Sequence, residues 1–164
     1  MSSSVIRQFP DPVLRRVSEP IKKTDKTVPS LVKRLISVMR RQPGGVGIAA
    51  PQIGVLKRIA IIDISPKVSD KKLLILINPK IITFEKETVT REGCMSLPDY
   101  TANVSRAERI YVKWLDLDFK ERELLTSGLE ARCIQHEIDH LNGLLFVDRV
   151  SSLKRDVFPR KRYL

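Results

Sequence analysis

Apolar residues recur along positions 29–42 at Leu31, Leu35 and Met39, with Val32 and Ile36 beside them. Lys33, Arg34, Arg40 and Arg41 punctuate the same stretch. A four-residue recurrence predicts an amphipathic helix, which Pro43-Gly44-Gly45 would stop. Upstream, Asp11-Pro12 suits the opening of a short helical turn, the aspartate as cap and the proline at the first helical position. The middle of the chain changes period. Residues 58–64 and 73–78 are short runs of branched apolar residues, expected as buried strands. Residues 85–91 alternate more loosely, as a strand with one wet face does. Residues 108–118 and 120–126 predict a hairpin around Asp116-Leu117-Asp118, packed through Tyr111 and Trp114. Residues 128–142 return to helical spacing, and Gly143 stands at the favoured position just beyond the end.

Strands in a block followed by one strong helix predict an α+β fold, with mixed or antiparallel sheets packed around that central helix and an amphipathic helix nearer the N-terminus. The chain has 164 residues and neither repeats nor linker-like segments, so one domain over residues 1–164 is expected, with a short tail from about residue 150. Its longest apolar run, residues 73–77, is far short of the roughly 20 residues that span a bilayer. No secretion signal is visible at the N-terminus. The net charge of +11 favours residence near something acidic, whereas an aromatic content of 5% gives little material for stacking nucleic-acid bases. The two cysteines, Cys94 and Cys133, are expected in a reducing compartment.

Both histidines of the chain fall within His136-Glu137-Ile138-Asp139-His140. On a helix, residues four apart share a face, so both imidazoles can reach one metal ion. Glu137 then stands where its carboxylate can reach a water beside that ion. A catalytic divalent site usually takes a third protein ligand. No further histidine exists, and after His140 the only acids are Asp148 and Asp156. Cys94, in Glu92-Gly93-Cys94-Met95-Ser96, offers a thiolate; Cys133 competes, but lies on the same helix three residues before His136 and is expected in the core. A third stretch runs from Gly44 through Gly45-Val46-Gly47-Ile48-Ala49-Ala50-Pro51-Gln52 to Gly54. It follows a helix where a dinucleotide-binding turn would follow a strand, and Pro51 would break the helix that such a turn needs. What remains is an extended small-residue segment able to pair with a peptide, ending in the polar Gln52.

Together the three segments resemble those of the peptide deformylases, which carry G-x-G-x-A-A-x-Q, E-G-C-x-S and Q-H-E-x-D-H in that order. The likeness extends to Asp11-Pro12-Val13-Leu14-Arg15 near the start and to the stretch from Leu141 to Arg149 near the end. It implies hydrolysis of the formyl group from N-terminal formyl-methionine, releasing formate. By position, the resemblance makes Cys94, His136 and His140 the metal ligands, with water as the fourth. Glu137 becomes the general acid and base, and Gln52 with the backbone N–H of Met95 the donors to the oxyanion. Val46, Gly47 and Ile48 resemble the peptide-binding edge, with Val46, Cys133 and Ile134 around the methionine side chain. Glu92 and Gln135 are expected to orient the ligands.

The same resemblance implies one divalent ion, ferrous iron in the native enzyme, with zinc, nickel or cobalt as substitutes. It implies N-formylmethionyl peptides as partners, no membrane and no specific DNA, and a bacterial cytoplasm or an organelle as the compartment. Met95 and Ile48 replace the usual leucines. The tail leaves room for only one or two helical turns before Pro159, where many relatives continue in a long helix that helps contact the ribosome. The basic Arg160-Lys161-Arg162 could still attract ribosomal RNA. A zinc endopeptidase, suggested by H-E-x-x-H alone, is disfavoured by the lack of a conventional third ligand.

Overall fold

A computed structural model describes residues 5–160, so residues 1–4 and, of the basic tail, Lys161 and Arg162 lie outside the described residues. The amphipathic helix α1 spans Thr27–Arg41, starting earlier than its apolar pattern because Asp25 accepts a hydrogen bond from the Thr27 N–H at 2.8 Å. It stops where Gln42 turns extended, just before Pro43. Three short or long strands follow: β1 (Gly47–Ala49), β2 (Ile59–Ile62) and β3 (Leu74–Cys94). Next come β4 (Leu97–Leu115), β5 (Glu121–Ser127) and the second long helix, α2 (Gly128–Leu141). A short α3 (Leu153–Asp156) and β6 (Val157–Pro159) close the described chain. A 3-10 turn at Pro12–Arg15 has Asp11 as its cap, accepting from Val13 N–H at 3.0 Å.

The fold is α+β, and the named strands form one antiparallel sheet in the order β1-β2-β3-β4-β5, with β6 added on β4. Several sheets were expected; a single one results because β3 is continuous where two strands were predicted. Register shifts between Ile77 and Lys80, and between Ile81 and Thr83, absorb Pro79 and let pairing with β4 resume. Likewise β4 begins at Leu97, well before the predicted hairpin. Along its first half Ala102, Val104 and Arg106 are buried in alternation, and the arginine hid the pattern from a purely apolar reading. The hairpin turn itself lies where expected, with Asp116 accepting from the N–H groups of Asp118 and Lys120.

Period-two alternation divides the central strands between the helices. Ile48, Ile59, Ile61 and Ile77 pack with Leu31, Leu35 and Val38 of α1. Their neighbours Ala49, Ala60, Ile62 and Leu76 pack with Ile134, Ile138 and Leu141 of α2. The sheet is thus buried on both faces here, which is why β2 reads as an uninterrupted apolar run. A third cluster joins Leu14, Cys94, Leu97, Val104, Leu145 and Phe146 under the β3–β4 turn. Among the described residues no helix is long and apolar enough to cross a membrane. Leu35 is fully buried in the α1 cluster, so Leu35→Ala should cost about 2–5 kcal/mol of stability. Guanidinium unfolding checks this: the midpoint should fall while the slope stays unchanged.

Candidate metal centre

Local structure brings three ligand-type side chains together. Cys94 is the last residue of β3, and Met95-Ser96 make a two-residue turn back into β4, closing on the Cys94–Leu97 pair. The turn projects the sulfur toward α2, where His136 and His140 lie one helical turn apart. Candidate ligand atoms of Cys94, His136 and His140 all fall within 4.8 Å of one another. Cys94 Sγ is 3.4 Å from His140 Nε2, and the two imidazole centroids are 5.1 Å apart. The Ser96 N–H reaches Cys94 Sγ at 3.4 Å, and Gln52 Nε2 stands 3.8 Å from it.

One thiolate and two imidazoles form a donor set that suits a divalent transition metal. The remaining contacts agree. His136 donates from Nδ1 to Glu92 Oε1 at 2.8 Å, leaving its Nε2 lone pair for an ion. The Phe146 ring stacks on His136 at 6.3 Å. Glu137 is buried and points its carboxylate at the same space, and its Oε1 has no hydrogen-bond partner among the described residues. Burial pushes this carboxyl up to about 7, although the neighbouring His136 and Arg106 pull it down. The residues present therefore fit a bound divalent cation.

A buried chain of charges holds this arrangement. Arg106, with a side chain only 2% exposed, forks onto Glu92 through Nε at 2.6 Å and Nη2 at 3.0 Å. Its Nη1 reaches Asp139 Oδ2 at 2.9 Å, and Arg149 binds Asp139 from outside at 2.9 and 3.1 Å. Burial alone would raise the pKa of Glu92; hydrogen bonds from His136 and Arg106 overcome it and hold the carboxyl down at about 2. Glu92 therefore stays an acceptor for His136.

A cleft of about 300 Å³ opens beside the three ligands. Val46, Gly47, Gln52, Met95 and Cys133 line it. Gln52 is anchored by accepting from the Ala49 N–H at 3.0 Å, and its Nε2 also donates to Ser96 Oγ at 3.1 Å. Gly47 backs directly onto Glu137, where a Cβ would come within 2.7 Å of Oε2. β1 pairs with β2 alone in the sheet, so its other edge is open to an added strand.

Three placements differ from expectation. Ile134 is fully buried in the α2 cluster and does not line the cleft, since one helical position past Cys133 turns it about 100° away. Ile48 points its side chain into the α1 cluster, being out of phase with Gly47. The bond from Asp63 N–H to Val46 O puts the Ile48 backbone on the β2 side, opposite Ile61, leaving Gly47 to face the outer edge. Gln135 does not touch a ligand: it accepts from Ala107 N–H and donates to Ala107 O, both at 2.9 Å, bracing α2 against β4. Cys133, expected in the core as well as in the pocket, is half-buried at the cleft wall, and burial pushes its thiol up to about 12, so it stays protonated. Leu129 and Thr90, both on the cleft, escaped the sequence reading. Leu129 stands four residues before Cys133, a spacing that could have found it.

The family model described as polypeptide deformylase matches residues 4–156. A peptide deformylase of Thermodesulfovibrio yellowstonii is 44% identical over 156 residues, covering 95% of this chain and 94% of the relative. The crystal structure of a peptide deformylase from Legionella pneumophila superposes with a TM-score of 0.85 at 41% identity, covering 94% of this chain and 89% of that one. A class I type b peptide deformylase from Acinetobacter baumannii, bound to Met-Ala-Ser, superposes with a TM-score of 0.83 at 32% identity, covering 91% of this chain and all of that one (100%).

Removing Arg106 would leave Glu92 and Asp139 buried, with Arg149 alone on Asp139. Arg106→Ala should therefore cost about 3–5 kcal/mol in chemical unfolding, well beyond a surface substitution.

Proposed function

The chain belongs to the polypeptide deformylase family, and from that premise we propose that it hydrolyses the formyl group from the N-terminal formyl-methionine of newly made polypeptides, releasing formate. The observation that carries this reading is the joining of Cys94, His136 and His140 into one donor set beside a cleft containing a buried, unpartnered Glu137 oxygen. Cys94, His136 and His140 hold one divalent ion, ferrous iron in the native protein and zinc, nickel or cobalt as replacements. When bound, the ion supplies Lewis acidity, which makes water a competent nucleophile near neutral pH. Glu92 orients His136 through the 2.8 Å hydrogen bond, and Gln135 keeps the ligand helix against β4.

The peptide lies extended beside Val46, Gly47 and Ile48, pairing as an added strand through the outward-facing backbone of Gly47. Val46, Leu129 and Cys133 enclose the methionine side chain, with Ile134 supporting that wall from the core behind it. Glu137 removes a proton from the attacking water and returns it to the amine nitrogen as the C–N bond breaks. The Gln52 side-chain amide and the Met95 backbone N–H donate to the formyl oxygen as negative charge builds there. An unactivated amide needs each of these: a strong nucleophile, a sink for charge on oxygen and a proton for nitrogen. Residues 1–164 act as one catalytic domain in the cytoplasm of a bacterium or in an organelle. Positive charge on its surface draws it toward ribosomal RNA.

Formate release from formyl-Met-Ala-Ser by protein purified without oxygen tests the reading. Glu137→Gln should lower turnover by about 10²–10⁴-fold with metal content unchanged. A folded, metal-loaded wild type that releases no formate would refute the proposed substrate. Gly47→Ala should displace Glu137 and lower kcat/KM by about 10–100-fold. Its thermal unfolding should shift little, which separates misplacement of Glu137 from loss of fold.

A further inference from the structure

The cleft carries more positive charge than deformylation requires. Lys67, Arg91, Arg132 and Arg160 all line it. Only two carboxylates do, Glu92 and Glu137, and the first is already bound by Arg106 and His136. Arg132 faces Glu108 at 3.6 Å. Arg91 and Arg160 have no carboxylate partner among the described residues.

The C-terminal segment positions this pair. β6 joins β4 through Tyr100–Pro159, Thr101–Phe158 and Ala102–Val157, and the Arg160 N–H donates to the Asp99 carbonyl at 2.7 Å. These bonds turn Arg160 back into the cleft, with its guanidinium against Gly93, the residue before Cys94; a side chain at Gly93 would collide with it. Phe158, two residues earlier, reaches Arg91. Its ring lies under the Arg91 guanidinium, 3.9 Å from the centroid. Arg91 also donates to Asn103 Oδ1 at 3.1 Å and Thr101 Oγ1 at 3.2 Å. Those acceptors are neutral, so Arg91 is fixed in direction without being neutralised. Two guanidinium groups on one cleft, Arg91 held in direction and Arg160 laid against Gly93, offer a receptor for a planar anion.

We propose that Arg91 and Arg160 form a carboxylate subsite that makes the enzyme prefer formylated peptides with aspartate or glutamate in the two residues after methionine. The proposal rests on the deformylase reading. It assigns Arg160 a role in selecting the peptide, because its side chain lines the cleft. Lys67 and Arg132, the latter paired with Glu108, add to the local positive field.

The test compares kcat/KM for C-terminally amidated formyl-Met-Ala-Ser, formyl-Met-Asp-Ser and formyl-Met-Ala-Asp at low and high salt, using the metal-loaded full chain. Amidation removes the terminal carboxylate, so only the side chain is read. At least one acidic peptide should be favoured about two- to tenfold at low salt, mostly through KM, and the preference should shrink as salt rises. Arg160→Ala should erase it while leaving the neutral peptide within twofold, and Arg160→Lys should restore part of it. Equal rates on all three peptides in the wild type would overturn the subsite but leave the deformylase intact. A variant slowed equally on neutral and acidic peptides would also overturn it, since that pattern means a structural role. Absence of turnover on every peptide would remove the deformylase reading and this proposal with it.

Discussion

A buried arginine ties the molecule together. Arg106 belongs to β4 and lies between Glu92 on β3 and Asp139 on α2, so its guanidinium ties together the two elements that carry Cys94, His136 and His140. Burying such charges costs several kcal/mol per ion unless geometry is good and every donor is used. Here each of the three guanidinium nitrogens makes a bond, two of them onto Glu92 and one onto Asp139. The gain is orientation: a Glu92 carboxylate held by Arg106 has one lobe left for His136 Nδ1, which commits the opposite ring nitrogen to an ion.

Two periodicities then place the chemistry without further strain. A helix repeat sets His136 and His140 on one face, with Leu129 and Cys133 along the cleft side. A strand repeat sets Gly47 toward Glu137 and Ile48 toward α1. The lack of a side chain at Gly47 lets the buried carboxylate approach the strand that a peptide would join. Burying Glu137 in this way raises its pKa toward neutrality, the range in which a carboxyl is able both to take and to give up a proton.

The C-terminal segment shows how a short connection changes a site. Three residues of β6 on the edge of β4 suffice to set Phe158 under Arg91 and to carry Arg160 to the cleft. The cation–π contact with Phe158 holds Arg91 in one direction without cancelling its charge. The cleft thus joins an apolar wall at Val46, Leu129 and Cys133 to a cationic rim.

Much of this was legible along the chain because it depends on local spacing. Both long helices, the β2 and hairpin strands, the Asp11 cap and the pairing of His136 with His140 on one helix face follow from apolar period, turn residues and a four-residue separation. Cys94, by contrast, was singled out from Cys133 only by the resemblance to the peptide deformylases. Continuity of β3 and β4 was not legible, because Pro79 and Arg106 interrupt an apolar pattern and only pairing across the sheet shows that a bulge and a buried ion pair replace it. The roles of Gln135, Ile134 and Arg160 also depended on tertiary structure. Which way a side chain faces is fixed by its neighbours in space: Ala107 for Gln135, the α2 core for Ile134, and the β4 edge for the residue after β6. Sequence period determines what each element is; packing between distant elements determines what each side chain touches.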